Sequence, residues 1–231
     1  MQKLRHYFKN TPILPPVVSP QKHFRNKVKL VVTGTLDHPI LGIWGKGDQS
    51  DLATLDQGVE ILNCPVHVEK INQMLPIIIE FIKKAKLIPY QISNKKGELK
   101  GIIIFYSQNT KESYLRLILR SKESIDRVRK YQNDLYQHIS HLQVLTCNIQ
   151  PIAHALLEGE EEIFISKNKT LRHQLGNLNM SVGPRGFIQT NQFVAQKLYQ
   201  TAASWIKENS QKQLVELFCG QGAFSLAAHS S

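Results

Sequence analysis

Apolar and polar residues alternate from residue 27 onward, with Val28, Leu30 and Val32 set against Lys27, Lys29 and Val31. Period two predicts a strand with one wet face at its start, and "ILGIWG" at residues 40–45 predicts its hairpin partner. The period then changes to that of a helix. In "HVEKINQMLPIIIEFIKKAKL" the residues Val68, Ile71, Met74, Leu75, Ile78, Ile79 and Ile82 share one helical face. Pro76 within it is expected to kink the helix or split it in two. Strands resume at "GIIIFYSQ" and "SYLRLILRS" around the polar turn "NTKE", and a second amphipathic helix turns Ile125, Val128, Leu135 and Ile139 inward. A further strand pair, "QVLTCNIQPI" and "EEIFISKN", flanks the acidic run "EGEEE", which is read as an exposed turn.

Strands flanked by two helices in this order predict an α+β central domain with an antiparallel sheet over residues 23–176. Residues 1–22 carry Pro12, Pro15, Pro16 and Pro20 without periodicity and are expected to be an extended or disordered lead-in. Beyond residue 176 the pattern is that of an α/β unit beginning, over residues 177–231. Asn191 is placed to cap a helix carrying Val194, Leu198, Ala202, Trp205 and Ile206, and "LVELF" reads as a buried strand. The strand runs into "CGQGAF", where Gly220 and Gly222 would let a ligand approach the backbone at the turn into a helix. Taken alone, Gly-x-Gly is equally consistent with a structural turn.

Charge narrows the choice of partner. Lys and Arg number 29 against 18 Asp and Glu, a net charge of +11, which favours a polyanion, nucleic acid ahead of membrane. No apolar run approaches the roughly 18 residues of a membrane span, and the N-terminus lacks the apolar core of a signal peptide, so a cytoplasmic location is expected. Arg25, Lys27 and Lys29 fall on one strand face, and Lys95, Lys96, Lys100, Arg116 and Arg120 lie on or beside neighbouring strands. Together they could converge on RNA phosphates, the alternative being a solvated basic face. Cys64, Cys147 and Cys219 are odd in number and far apart, which argues against disulfides and against a complete metal site.

The segments "FRNKVKLVVTGT", "ILGIWG", "NCPVHV", "ISNKKGELKGIII", "LRLILRS", "TCNIQPIAHALLEGEEEIF", "FIQTNQFVAQKLY" and "ELFCGQGAF" resemble, in this order, those of the RNA (uracil-5-)-methyltransferases. Within that family the likeness is to the members that methylate uridine in 23S ribosomal RNA. The resemblance implies a Rossmann-like domain binding S-adenosylmethionine, with Gln189 of "QTN" and Phe218 of "LFCG" as ligand contacts and Gly220 and Gly222 as the motif glycines. Ile188 stands where the family has a second aromatic. The family attacks carbon-6 of uracil with a cysteine thiolate and removes the carbon-5 proton with a carboxylate. Both residues lie downstream of the glycine motif there, so no catalytic residue is assigned in this chain. Cys219 matches the motif's own cysteine and is read as a packed residue.

Relatives of this type hold an iron–sulfur cluster with three N-terminal cysteines and a fourth in "CP". Cys64 matches the fourth, but residues 1–63 contain no cysteine, so Cys64 is read as a relic or core residue and a cluster is not expected. Ribosomal RNA is the expected partner; no membrane and no protein partner is indicated. The chain is read as a fragment of such a methyltransferase, inactive alone, with a noncatalytic RNA-binding protein or a nonfunctional truncated product as alternatives.

Overall fold

A computed structural model describes residues 11, 13–44, 56–152, 158–208 and 213–229. Seven strands form one sheet in the order β3-β2-β1-β4-β5-β6-β7. The strands are β1 (Lys27–Gly34), β2 (Pro39–Trp44), β3 (Gly58–Glu60), β4 (Leu99–Ser107), β5 (Glu112–Leu119), β6 (Leu142–Ile149) and β7 (Glu161–Phe164). A separate hairpin is made by β8 (Leu171–Leu175) and β9 (Leu178–Val182). Four helices complete the described fold: α1 (Glu69–Lys84), α2 (Ile125–His138), α3 (Gln192–Glu208) and α4 (Ala223–His229).

The expected β1–β2 hairpin forms, with Val31 opposite Gly42 and Gly34 opposite Pro39. Gly34 makes the turn possible: its φ is +82°, and a Cβ there would collide with the His38 carbonyl oxygen. The sheet is mixed where the sequence pattern suggested an antiparallel one. Every pairing is antiparallel except β5–β6, where Leu115 faces Leu145 and Leu117 faces Cys147 in parallel. A parallel pair needs a crossover, and α2 supplies it.

One face of the sheet is covered by α1 and α2. Ile71, Leu75, Ile78 and Ile82 of α1 and Val128 and Leu135 of α2 pack on Leu30, Ile102, Ile104, Leu115, Leu117 and Leu145. Helix α1 runs unbroken through Pro76, which is exposed on its solvent side, so the expected split does not occur. The other face is covered by the β8–β9 hairpin, whose Leu171 and Val182 join Ile103, Phe105, Tyr114, Ile118, Val144 and Ile188 in a second apolar cluster. With both faces closed, every residue of β4 and β5 is buried, which explains why "GIIIF" and "LRLIL" are nearly continuous apolar runs. The expected boundary between residues 176 and 177 falls in the two-residue turn of this hairpin.

After the hairpin, Asn191 caps α3 as expected, its Oδ1 accepting from the Val194 amide at 3.2 Å. Its Nδ2 donates to Ser19 Oγ at 3.0 Å, tying down part of the extended residues 13–20. Helix α3 buries Gln192, Ala195 and Ala203, leaving Leu198 and Trp205 half-exposed, so its inward stripe is rotated from the one the sequence suggested. Residues 214–218 form no strand. No described strand pairs with them, and Val215, Leu217 and Phe218 stand largely in solvent.

The hairpin is fastened to the sheet by a buried imidazole. His173 shares a 3.0 Å hydrogen bond through Nδ1 with the Ser107 hydroxyl and meets the Phe105 ring edge-on, centroids 5.2 Å apart. Burial lowers its pKa from 6.5 to about 4. Between those values the unfolded chain takes up a proton that the folded one excludes, so stability falls as pH drops through the window, by at most about 3 kcal/mol from this group. His67 and His141 shift in the same direction, again through burial first. Urea unfolding at pH 7.5 and pH 5 should show a midpoint difference that shrinks in His173→Gln; an equal difference in the variant would assign the acid sensitivity to other groups.

Candidate functional site

Three of the motif segments quoted above meet at one seam. Residues 23–26 run between two other stretches of chain and bond to both. On one side the amides of His23 and Arg25 donate to the carbonyls of Pro65 and Val66 at 2.9 and 2.8 Å, and the Val68 amide donates to the Arg25 carbonyl at 3.0 Å. On the other side the Asn26 amide donates to the Thr190 carbonyl at 3.0 Å. "RNK", "NCPVHV" and "QTN" are thereby laced together by backbone. Asn26 is fully buried, and neither end of its side-chain amide has a partner among the described residues.

Past the seam, the side chains of Lys27 and Lys29 leave β1 on the face opposite α1 and α2. Lys27 Nζ donates to the Gly186 carbonyl at 3.0 Å and stands 5.9 Å from the centre of the Tyr114 ring. Burial, and then repulsion from Lys29, lowers its pKa to about 8. Lys29 is half-exposed and pairs with Glu158. Arg116, two strands away on the same face, is only 1% exposed. Its Nε lies 2.9 Å from both carboxylate oxygens of Glu162, its Nη2 is 2.6 Å from Oε2, and its Nη1 pairs with Glu158. Burial disfavours its charge, yet the Glu162 and Glu158 bonds outweigh that and raise its pKa. Glu162 also accepts from Asn148 Nδ2 at 2.9 Å.

The basic residues singled out in the sequence therefore divide. Arg25, Lys95 and Lys96 are exposed. Arg116 faces no solvent in this arrangement, being covered by the 158–162 segment and paired with its two carboxylates. Lys100 is withdrawn as well: it sits at an irregularity in the β4–β5 register and is buried, its Nζ capping the carbonyls of Gln150 and Ile152 at 3.3 and 2.5 Å. Burial lowers its pKa to about 8. Arg120 is held by Glu98, with Nε and Nη2 at 3.0 and 2.7 Å from Oε1. Lys95, Lys96, Lys100 and Arg120 lie toward the start of β4, with Lys100 three residues or roughly 10 Å of strand from Ile103, the partner of Lys29, and five residues from Phe105, the partner of Lys27. Glu158, Glu160 and Glu161 of "EGEEE" are exposed as expected, but the run also answers charge: the Glu162 side chain is only 6% exposed and Glu158 bridges two cations. An arginine inside "YLRLIL" was the signal for it, because a buried guanidinium requires a carboxylate.

The cofactor candidates are partly brought together. Gln189 lines a small cavity with Gln221 and Ala223 from the glycine turn and with Tyr199 of α3. Its volume, about 20 Å³, is enough for one water and far too small for a nucleoside. Gly220 and Gly222 have φ of +55° and +68°, and nothing lies within 4 Å of where a Cβ would point. The turn is thus open on its outer side, and Gln189 and the glycines fit one wall of a nucleoside site. Phe218 is fully exposed with φ +58°, and Cys219, expected to be packed, is exposed because the strand before it does not form. Cys147 is buried, and burial first of all pushes its thiol pKa up, which keeps it protonated. A four-thiolate cluster does not fit a chain with three cysteines, and no group of three or more metal-ligating side chains occurs among the described residues.

The family described as tRNA (Uracil-5-)-methyltransferase matches residues 2–231, and the chain belongs to it. It is 42% identical over 216 residues to the 23S rRNA (uracil(747)-C(5))-methyltransferase RlmC of Actinobacillus pleuropneumoniae serotype 5b (strain L20), a match covering 94% of this chain and 54% of that protein. It is 40% identical over 221 residues to the RlmC of Glaesserella parasuis serovar 5 (strain SH0165), covering 96% and 55%. The chain thus spans about half the length of the curated relatives it matches. Its fold is similar to that of the Pyrococcus abyssi tRNA (uracil-54, C5)-methyltransferase solved with S-adenosyl-L-homocysteine, with a TM-score of 0.69 at 19% identity over 88% of this chain and 45% of that one.

The buried pair yields a stability test. Arg116→Met leaves Glu162 buried and unpaired and should cost about 3–5 kcal/mol, seen as a lower urea midpoint. Arg116→Met with Glu162→Leu should recover much of that loss. A single variant as stable as the wild type would show that water reaches Glu162.

Proposed function

We propose that this chain carries the RNA-holding domain and one wall of the cofactor site of an S-adenosylmethionine-dependent enzyme that methylates carbon-5 of uridine in 23S ribosomal RNA, in the cytoplasm. The observation that supports this most is the seam. It joins the basic strand to the "QTN" segment, whose Gln189 shares a cavity with the glycine turn. The relatives named above act on 23S ribosomal RNA, and the solved neighbour was crystallised with the demethylated cofactor product.

In this reading Arg25, Lys27 and Lys29 hold RNA phosphates, while the exposed Lys95 and Lys96 meet a second stretch of backbone at the other end of β4. Gln189, Phe218, Gly220 and Gly222 hold the cofactor, which supplies an electrophilic methyl group when bound. The glycine turn admits the cofactor close to the backbone, and Gln189 offers an amide to orient a polar group. The Cys64 carbonyl accepts from Asn72 Nδ2 at 3.1 Å and serves the seam.

Phosphate contacts impose a salt dependence of about 0.7 in logarithmic slope per contact on single strands. Filter binding of a 23S RNA fragment across a salt series should show Arg25→Ala/Lys27→Ala/Lys29→Ala binding more weakly, with a slope shallower by about 2 if each cation holds one phosphate. Absence of RNA binding in the wild type would end the RNA reading. Binding with an unchanged slope would move the interface off β1.

A further inference from the structure

We propose that Glu158 is an internal stand-in for a phosphate: its carboxylate occupies the RNA backbone's seat on the basic strand and yields it when RNA arrives. The inference rests on the reading of β1 as the RNA-holding strand. Glu158 places one oxygen on Lys29 and the other on Arg116, so two cations on one sheet face are bridged by one two-oxygen anion, the geometry that non-bridging phosphate oxygens offer.

Several features mark this carboxylate as replaceable. Arg116 does not depend on it, because Glu162 already takes Nε and Nη2, and Glu162 is itself fixed by Asn148 and only 6% exposed. Glu158 is different, with 36% of its side chain in solvent beside a Lys29 side chain that is 51% exposed. The backbone around Glu158 is held while its side chain has room. Gln150 Nε2 donates to the Glu158 carbonyl at 3.0 Å, and the Gly159 amide donates to Asn148 Oδ1 at 2.7 Å. Gly159 packs so tightly that a Cβ would collide with the Ile149 carbonyl. The carboxylate can therefore swing out without unravelling the turn.

Exchange for phosphate leaves neither cation unpaired. It also changes the local charge: Lys27, Lys29 and Arg116 against Glu158 and Glu162 sum to +1, and to +2 once Glu158 has turned away. Nonspecific anions must compete with a tethered carboxylate, whereas an RNA that also engages Arg25 and Lys27 displaces it with several contacts at once. Glu158 thus raises the threshold for weak, single-contact binding.

Removing the stand-in should strengthen RNA binding. At pH 7, Glu158→Gln is expected to bind the 23S RNA fragment several-fold more tightly than the wild type in filter binding. Its salt dependence should be steeper, since no freed carboxylate recaptures a cation. In a Lys29→Ala background the same substitution should gain much less. Urea unfolding of Glu158→Gln should stay near wild type, which separates an altered seat from an altered fold. Unchanged or weaker RNA binding by Glu158→Gln, with Lys29→Ala still flattening the salt slope, would overturn this inference and leave the RNA face standing. A salt slope indifferent to Lys29→Ala would overturn the RNA face itself.

Discussion

A guanidinium in the middle of a doubly covered sheet sets the terms for much of this molecule. Arg116 sits on β5, a strand with no exposed residue, so its charge must be answered from within the protein. The answer comes from the 158–162 turn, which follows β6 and leads into β7. Glu162 reaches Arg116 because β7 pairs with β6 so that Asn148 stands opposite Glu162. That register also lets Asn148 bond the glutamate and the turn's backbone at Gly159 and Glu161. The edge of the sheet, the turn and the charged face are consequently one construction.

That construction governs which cations remain available. A buried ion pair offsets its desolvation only with close geometry and satisfied lone pairs, and the Arg116–Glu162 pair has both. Lys100 reaches a similar end by another route, capping two carbonyls where the β6–β7 connection begins. Arg120 is fastened to the buried Glu98, which Ser121 Oγ also contacts at 2.8 Å. The net charge of +11 therefore overstates the cationic surface on the sheet. Arg25 and Lys29 keep the exposure needed to meet a ligand, and Lys27 lies between, with a lowered pKa that an arriving anion would reverse.

How much was legible follows from what each pattern measures. The helices were plain because Ile71, Leu75, Ile78 and Ile82, and likewise Val128 and Leu135, repeat at helical spacing, and Pro76 falls on the solvent side where a missing amide is tolerated. The β8–β9 hairpin was missed although Leu171, His173 and Leu175 alternate before a Gly-Asn turn, because a histidine at an inward position masks the period. The opposite error arose at "LVELF". An apolar run signals burial and β-propensity, but a strand exists only where a neighbour completes its hydrogen bonds, and no described strand does so. The cofactor residues came from family resemblance; spacing alone could not show that Gln189 and the glycine turn line one cavity. The split of the basic residues was invisible because a lysine in a sequence looks the same capping a carbonyl as facing water.

The seam at residues 23–26 is what relates the two halves of the candidate site. Lys27 holds the Gly186 carbonyl, and Gln189 lies only three positions after Gly186, a reach of roughly 10 Å even when extended. The next peptide units, at Thr190 and Asn191, are bonded to Asn26 and bridged to Arg25, and Asn191 then caps α3. The basic strand and the glutamine are therefore spaced by backbone hydrogen bonds, which tolerate changes of surface side chain far better than an ion pair would. Each amide and carbonyl of residues 23–26 that these bonds satisfy fixes the spacing between the exposed Arg25 and Lys29 and the cavity at Gln189.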